Sequence, residues 1–419
     1  MPSKQVTSRI HSPRVGGLQQ HLPTSCGIQV ALSITEEVPI ILVDGTDEAW
    51  IRSSASMASA SSTSSSDMRW RPNPRHRLKE ATPSWTESSS LKPGSGRMLA
   101  ESIKACSDWH LLRALFLSID KSEVNQIHIT SALARTSAAA RLSPSMTQQE
   151  LKDLSTFFNH TLLQMATRLL PDMGSRELSS SLHSIANLFK SPSGFPQLSS
   201  TSLAKHFDPW IDACTFLIRS KGLRSPRDLS SVIWSLGILL PLLRQHCTQK
   251  KEDHSISLIQ EALASSSLCL RSFNAQDLST MLVGLERLST LGPGFVKIND
   301  KLWQGLLDQT LYLMSAPVTG HKDKISQSWS NILHSIDQIG INPGQRWLKS
   351  FAKLSVIFSS HCSGQSLATL SCSFGKLWSG CSEPSESPLE VREWSECLLQ
   401  EVISRLCSES GMGRRLTLS

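Results

Sequence analysis

Large apolar residues recur at helical spacing in five similar segments of this chain, residues 174–188, 225–239, 274–288, 325–339 and 363–377. Each segment contains an anchor residue that is followed by large apolar residues seven and ten positions later, and in four copies also after four positions. The anchors are Leu178, Leu229, Leu278, Trp329 and Leu367. This spacing is typical of the buried stripe of an amphipathic helix. Because it repeats, it predicts stacked units that bury a continuous core between neighbours.

A small residue stands six positions after every anchor. These residues are Ser184, Ser235, Gly284, Ser335 and Ser373. A small side chain repeated at one register lets a neighbouring helix approach closely, so the pattern predicts helix-on-helix contacts at this position. One position earlier, two copies have His183 and His334 where the others have Trp, Val and Cys, which favours packed histidines over catalytic bases.

The starts of these helices are also marked in the sequence. Ser225 is followed by Pro226 and Asp228, which predicts an N-cap, a proline at the first helical position and an acid in the first turn. Asn274 and Asp277 have the same arrangement without the proline.

Most of these helices have a second apolar segment upstream, typically led by a large aromatic residue about twenty positions before the anchor. The leading residues are Phe158, Trp210, Trp303 and Trp347, with a wider gap between Trp303 and its anchor, and Trp394 leads a last helix that has no anchor after it. The repeated unit is therefore a helix pair. We predict an all-α fold, an α-solenoid of about six stacked helix-turn-helix repeats over residues 99–410, of either hand and without a β-sheet.

The two ends of the chain have a different composition. Residues 1–98 include a Ser/Ala-rich stretch and a basic stretch that cannot offset the entropy of ordering, so we predict a disordered N-terminal region, and residues 411–419 form a short tail. Residues 1–35 contain arginines and serines but no acid, as in an organelle transit peptide, although an ordinary disordered tail fits as well. No apolar run reaches the length of a membrane span, so no membrane insertion is expected.

The chain has none of the spacings that common catalytic chemistry requires. We find no Walker A loop, no GxGxxG, no HExxH and no GxSxG. The ten cysteines include no CxxC pair and match no zinc template. We therefore expect a protein that is not an enzyme and that has no cofactor and no metal site.

The repeats resemble the octotricopeptide repeat (OPR), a helix-pair unit of about 38 residues found in green algae. The segments FNAQDLSTMLVGLERL (273–288) and SPRDLSSVIWSLGIL (225–239) are similar to the second helix of that motif, with Trp234 at the position of its tryptophan. NPGQRWLKSFAKL (342–354) resembles its lead and first helix, and residues 99–135 resemble the atypical pair that opens many members. Trp329 at an anchor position and insertions between repeats depart from the motif, so its base-by-base readout cannot be carried over.

The OPR resemblance implies sequence-specific binding of single-stranded RNA in an organelle. Members of the family control the stability, processing or translation of organelle transcripts. We therefore expect localisation to the chloroplast, with the mitochondrion as the alternative, and RNA-processing or translation proteins as further partners.

The net charge of +7 favours approach to phosphate, but the repeat region holds nearly as many acids as bases, so any basic surface depends on placement. We select basic and amide residues that flank the tryptophans of the first helices or lie at the turn of one pair. These RNA-binding candidates are Arg219, Lys221, Arg224, Lys301, Gln304, Arg346, Lys349 and Lys353. For each residue alone, a solvated helix face is the competing interpretation. For the whole protein, the alternative is a non-catalytic helical-repeat scaffold that binds protein.

Overall fold

The computed structural model describes residues 96–142, 146–190, 195–246, 248–316, 322–381 and 389–409. These ranges form helices, turns and short connections and contain no β-strand. The α-helices in chain order are α1 (Gly96–Ala105), α2 (Trp109–Ser118), α3 (Gln126–Leu142), α4 (Gln148–Phe157), α5 (Gln164–Leu169), α6 (Ser175–Lys190), α7 (Phe195–Arg219), α8 (Pro226–Leu243), α9 (Gln249–Cys269), α10 (Ala275–Ser289), α11 (Asp300–Ser315), α12 (Lys322–Ile339), α13 (Gln345–Ser355), α14 (Gly364–Cys381) and α15 (Leu389–Glu409).

The helices stack in two rows, which confirms the predicted all-α solenoid. The second helices of the pairs are α3, α6, α8, α10, α12 and α14, and each contacts the next along one row. The first helices form the other row, in which α7, α9, α11, α13 and α15 follow one another, and α9 and α11 meet through the turn that ends α9. Apart from residues 96–98, which begin α1, the predicted disordered region 1–98 and tail 411–419 lie outside the described residues.

The anchor stripe is buried, as the spacing predicted. All five anchors are at most 2% exposed, and the residues seven positions later are equally buried. Asn274 caps α10, because its side chain accepts a hydrogen bond from the backbone N–H of Asp277 at 2.9 Å. Ser225 occupies the N-cap position of α8 before Pro226, but its side chain makes no capping hydrogen bond.

The small residues at the sixth position after the anchors bring the second helices together. A Cβ added to Gly284 would lie 2.7 Å from the backbone N and Cα of Trp234, and one added to Gly237 would lie 2.6 Å from the carbonyl oxygen of Gly284. The backbones of α8 and α10 are thus in direct contact, which only glycine permits. At the next interface Ser335 takes the same position and donates to Glu286 at 2.7 Å.

Trp347 and Trp394 each join their helix to the preceding first helix by a hydrogen bond. Trp347 Nε1 donates to the carbonyl oxygen of Leu307 on α11 at 3.0 Å, and Trp394 Nε1 donates to Ser355 Oγ on α13 at 2.7 Å. Both indoles are at most 5% exposed, so the tryptophan side of the first helices faces the core as predicted.

Two first helices differ from the sequence-based expectation. Helix α7 begins at Phe195 instead of Trp210, because Leu203 and Phe207 extend the buried stripe toward the N-terminus; Pro209 does not end the helix. Phe158 does not lead an uninterrupted helix, because a π-helical turn over Phe158–Leu163 separates α4 from α5.

Candidate functional site

The candidates chosen on the first helices lie at the surface. Seven of the eight are exposed and Lys349 is half-buried. Arg219, Lys221 and Arg224 lie at the turn between α7 and α8, whereas the other five lie on the neighbouring helices α11 and α13. Helix α9 stands between the two groups, so the structure brings together the candidates of α11 and α13 but does not join them to the turn.

Acids share this first-helix surface. Arg219 donates to both carboxylate oxygens of Glu261, at 2.6 and 2.9 Å, and Gln304 donates to Asp308 at 2.8 Å. Asp212 on α7 and Asp253 on α9 are exposed as well. Helix α13, which carries Arg346, Lys349 and Lys353, has no acid. The charge of the first-helix surface is therefore mixed.

Large apolar side chains are also exposed on the first-helix row. Each of four successive first helices has one exposed apolar residue at or near its C-terminal end, and these residues are 63 to 82% exposed. They are Phe216, Leu268, Tyr312 and Ile357, the last in the turn after α13. Mixed charge with exposed apolar groups is typical of surfaces that contact protein.

The opposite surface of the molecule is built by the second helices. An α-helix turns by about 100° per residue, so four positions of each second helix lie on the side that faces away from the anchor stripe. They are the position two residues before the anchor and the positions two, five and nine residues after it. We call these positions in α6, α8, α10, α12 and α14 the second-helix face. Residues two positions before the anchors form its leading column, Arg176, Arg227, Gln276, Gln327 and Gln365.

No position of the second-helix face is occupied by an acid. Beside the leading column runs a column of small polar residues, Ser180, Ser231, Thr280, Asn331 and Thr369. The next two columns are His183, Trp234, Val283, His334 and Cys372, then Asn187, Ile238, Arg287, Gln338 and Lys376. Lys190, at the end of α6, continues the same stripe. The leading column is half-buried at Arg176, Arg227 and Gln327 and exposed at Gln276 and Gln365.

Three acids of the second helices lie beside this face and contact side chains of the neighbouring helix. Asp228 accepts hydrogen bonds from Ser175 and Ser179 of α6, at 2.7 and 2.8 Å. Glu286 accepts from Ser335, and Asp337 of α12 lies 3.7 Å from the ammonium of Lys376 on α14. These contacts direct three negative charges into the helix interfaces. The members of the second-helix face are half-buried or exposed, apart from five buried ones, Ser180, Ser231, Trp234, Val283 and Ile238.

The electrostatics of the leading column are unusual at its arginine end. Burial lowers the pKa of Arg227, and the like charge of Arg176 on the preceding helix lowers it further, against the opposing effect of Asp277 and Asp228. Burial raises the pKa of Asp277 to about 6, partly offset by its hydrogen bond with the backbone of Asn274 and by Arg227. Arg176 and Arg227 are thus close enough to interact, and Arg227 is partly desolvated.

Aromatic rings contact one another in the middle of the second-helix face. His183 lies with its ring centroid 4.6 Å from that of Trp234, and Lys190 Nζ lies 6.0 Å from the Trp234 ring. His334 spans two interfaces, with Nε2 3.9 Å from Glu286 and Nδ1 3.3 Å from Ser373 Oγ. Both histidines are half-buried packing residues, as their shared register with apolar residues predicted.

The described ranges hold no group of three or more His, Cys, Asp or Glu residues that could bind a metal ion. Within the same ranges, none of the helices has the length and hydrophobicity needed to cross a membrane.

The acid-free face was overlooked at the level of sequence, although its signal is present there. The five copies aligned on their anchors give the columns directly, whereas the candidate bases were selected beside the tryptophans of the first helices. The structure draws attention to it because it shows which side of each second helix is outward.

No protein-family model matches this chain, and a comparison with curated proteins finds no significant match. The function is therefore inferred from the residues of the two surfaces and from the repeat motif.

Proposed function

We propose that this protein is a non-catalytic RNA-binding helical-repeat factor that controls the stability, processing or translation of organelle transcripts. The chloroplast is the proposed compartment and the mitochondrion the alternative, and the ligand is single-stranded RNA. RNA-processing or translation proteins are proposed as further partners. The resemblance of the repeats to the octotricopeptide family supports this function.

The observation that carries the proposal is the acid-free second-helix face. Its own positions hold Arg176, Arg227, Arg287 and Lys376 across α6 to α14 and no acid, which suits a polyanion better than the mixed first-helix surface does. Carboxylates lie beside three of these bases, at Asp228 and Asp277 for Arg227, Glu286 for Arg287 and Asp337 for Lys376. Bases on a protein surface gain affinity for nucleic acid by releasing the counterions condensed on its phosphates.

The dimensions of the face suit one extended strand. Packed helices lie about 8–10 Å apart, so five consecutive second helices span roughly 40 Å. A row of single side chains can reach the unstacked bases of a single strand, whereas the narrow major groove of duplex RNA hides its base edges.

Binding of the full chain to RNA tests this function. We expect single-stranded RNA of 20 nucleotides to bind, with a slope of log affinity against log salt between about −2 and −3.5, since each phosphate contact contributes about 0.7. Duplex RNA of the same sequence should bind much more weakly. Fluorescence anisotropy over a salt series measures both quantities, and a chain that binds no single-stranded RNA at low salt contradicts the proposal.

RNA binding by the first-helix candidates stays a prediction. One variant tells whether the RNA lies on these residues or on the second-helix face. Changing Lys301, Arg346, Lys349 and Lys353 together to Gln removes four bases from α11 and α13. If RNA lies on the second-helix face, the salt slope of this variant equals that of the parent; a flatter slope places the strand on the first-helix row instead.

A protein-binding scaffold is the second candidate function, and the exposed apolar side chains of the first-helix row favour it. Changing Phe216 and Tyr312 to Ser would then abolish capture of the partner while RNA binding, if present, stays intact. The two functions use opposite surfaces, so these variants report on them separately.

A further inference from the structure

We propose that the first-helix row binds a second copy of this chain, in a two-fold symmetric dimer in which α7 of one copy faces α13 of the other. The inference goes beyond RNA binding and does not depend on it. The second-helix face lies on the opposite surface of the molecule, so both copies keep that face open in such a dimer.

Exposed apolar residues follow one another along the row. Phe216, Leu268, Tyr312 and Ile357 are 63 to 82% exposed and lie on, or directly after, the consecutive helices α7, α9, α11 and α13. A two-fold interface uses the same patch on both copies, so the patch must match itself in reverse order. With the axis between α9 and α11 and parallel to them, Leu268 meets Tyr312 of the other copy, and Phe216 meets Ile357.

The charges of α7 and α13 are complementary in this reversed order. On α7, Asp212 and Asp208 stand four and eight positions before the exposed apolar residue, and on α13, Lys353 and Lys349 stand at the same intervals before theirs. Residues four apart lie on nearly the same side of a helix. The arrangement therefore sets two acids opposite two bases at each end of the interface.

The alternative orientation of the two copies is disfavoured by charge. An axis along the row, perpendicular to the helices, would pair each helix with its own counterpart. Helix α13 has three bases and no acid, so it would meet only like charges. Juxtaposed like charges are unfavourable across an interface. Charge therefore selects the arrangement that brings α7 to α13.

The ion pairs within one copy leave these groups accessible. Asp208 lies 2.8 Å from Lys251 Nζ and Asp212 lies 3.5 Å from His254 Nε2, both across the contact of α7 with α9. The side chain of Asp212 is nevertheless 68% exposed. Lys353 is exposed and forms no ion pair within the described ranges. Asp212 and Lys353 are thus the pair on which the test concentrates.

The size of the patch predicts a weak dimer. Four packed helices span roughly 25–30 Å, and the apolar and charged positions cover about 20 Å along them, so the two copies together bury about 1,000 Å², the low end for specific interfaces. Eleven positions before the apolar residues, Lys205 and Arg346 would face each other, which confines the contact to the C-terminal parts of the helices. We expect dissociation in the micromolar range.

Analytical ultracentrifugation of the full chain over a concentration series tests the dimer. Asp212→Lys alone and Lys353→Asp alone each set like charges opposite each other at both ends; both residues are exposed, so folding is not at risk. Each variant should dissociate at least about tenfold more readily than the parent. When the two variants are mixed, opposite charges meet again at both ends, so the mixture should dimerise with about the affinity of the parent.

The apolar column is tested by Leu268→Asp, which should be monomeric at concentrations where the parent is a dimer. The matched control is Leu117→Asp on α2, since Leu117 is 71% exposed and lies outside the row; it should dimerise like the parent. Leu268→Asp should bind single-stranded RNA as the parent does. Absence of RNA binding from all these proteins would refute the proposed function and leave the dimer unaffected.

Three results would overturn the inference. They are a parent that is monomeric at every concentration, a mixture of Asp212→Lys and Lys353→Asp that stays monomeric, and a Leu268→Asp variant that dimerises like the parent. A monomeric parent whose RNA binding requires Lys353 would assign the row to RNA.

Discussion

Replacing Leu285 by Asp is expected to unfold the pair formed by α9 and α10 and to destabilise the neighbouring repeats. Leu285 is fully buried in the anchor stripe of α10. A carboxylate at this position has no partner and also leaves the space of the leucine side chain unfilled, so we expect a loss of at least about 4 kcal/mol in the free energy of unfolding. Because each repeat is stabilised mainly by its neighbours, the damage should spread to α8 and α12.

Thermal and urea unfolding followed by circular dichroism measures this effect. The matched control is Leu268→Asp, since Leu268 lies on α9 and is 82% exposed. This control should melt at nearly the temperature of the parent. Equal melting temperatures for Leu285→Asp and Leu268→Asp would show that the register of the buried stripe is wrong.

Gly284→Ala is expected to separate α8 from α10, although it adds only one methyl group. The new Cβ would lie 2.7 Å from backbone atoms of Trp234, and backbone cannot move aside as a flexible side chain can. Forcing extra volume into a packed interface costs about 1–3 kcal/mol, and we expect the upper end of this range because both contacting surfaces are backbone.

Gly375→Ala provides the comparison within the same row. Gly375 lies inside α14, and an added Cβ would meet nothing within 4 Å. Alanine should therefore stabilise this helix by about 0.5–1 kcal/mol, since glycine is entropically unfavourable in a helix. Opposite signs for the two glycine substitutions in urea unfolding are the predicted result; a gain in stability from both would contradict the close contact of α8 and α10.

The second helices could be predicted from the sequence in some detail. Their anchors, the small residues that allow close packing and the Asn274 cap all follow from local spacing, which the chain repeats five times. Repetition helped because a register shared by five copies is much less ambiguous than a single apolar stripe.

The first helices were harder to predict. The sequence predicts Trp210 as the aromatic residue that leads its helix, yet the buried residues Leu203 and Phe207 continue the helix across Pro209. The π-helical turn at Phe158 has no signal in the apolar pattern. Tertiary packing, which the local sequence does not contain, decides both features.

The candidate site shows a similar limit. The columns of the second-helix face can be read from the sequence once the outward side is known, but the position of each carboxylate cannot. Whether Asp228 points to solvent or to the serines of α6 depends on how closely two helices approach, and only the packed structure supplies that information. For this reason a repeat region with nearly balanced charge can still have one helix face whose own positions hold no acid.

Crosslinking of the native protein to RNA in isolated organelles, followed by sequencing of the bound RNA, tests the central claim most directly. If this protein is an organelle RNA-binding factor, a small set of transcripts should be enriched over the sample without crosslinking, with the contacts concentrated at single-stranded positions of each transcript. Recovery of no more RNA than in that control, while organelle proteins copurify in stoichiometric amounts, would contradict the RNA-binding function and identify the protein as a scaffold.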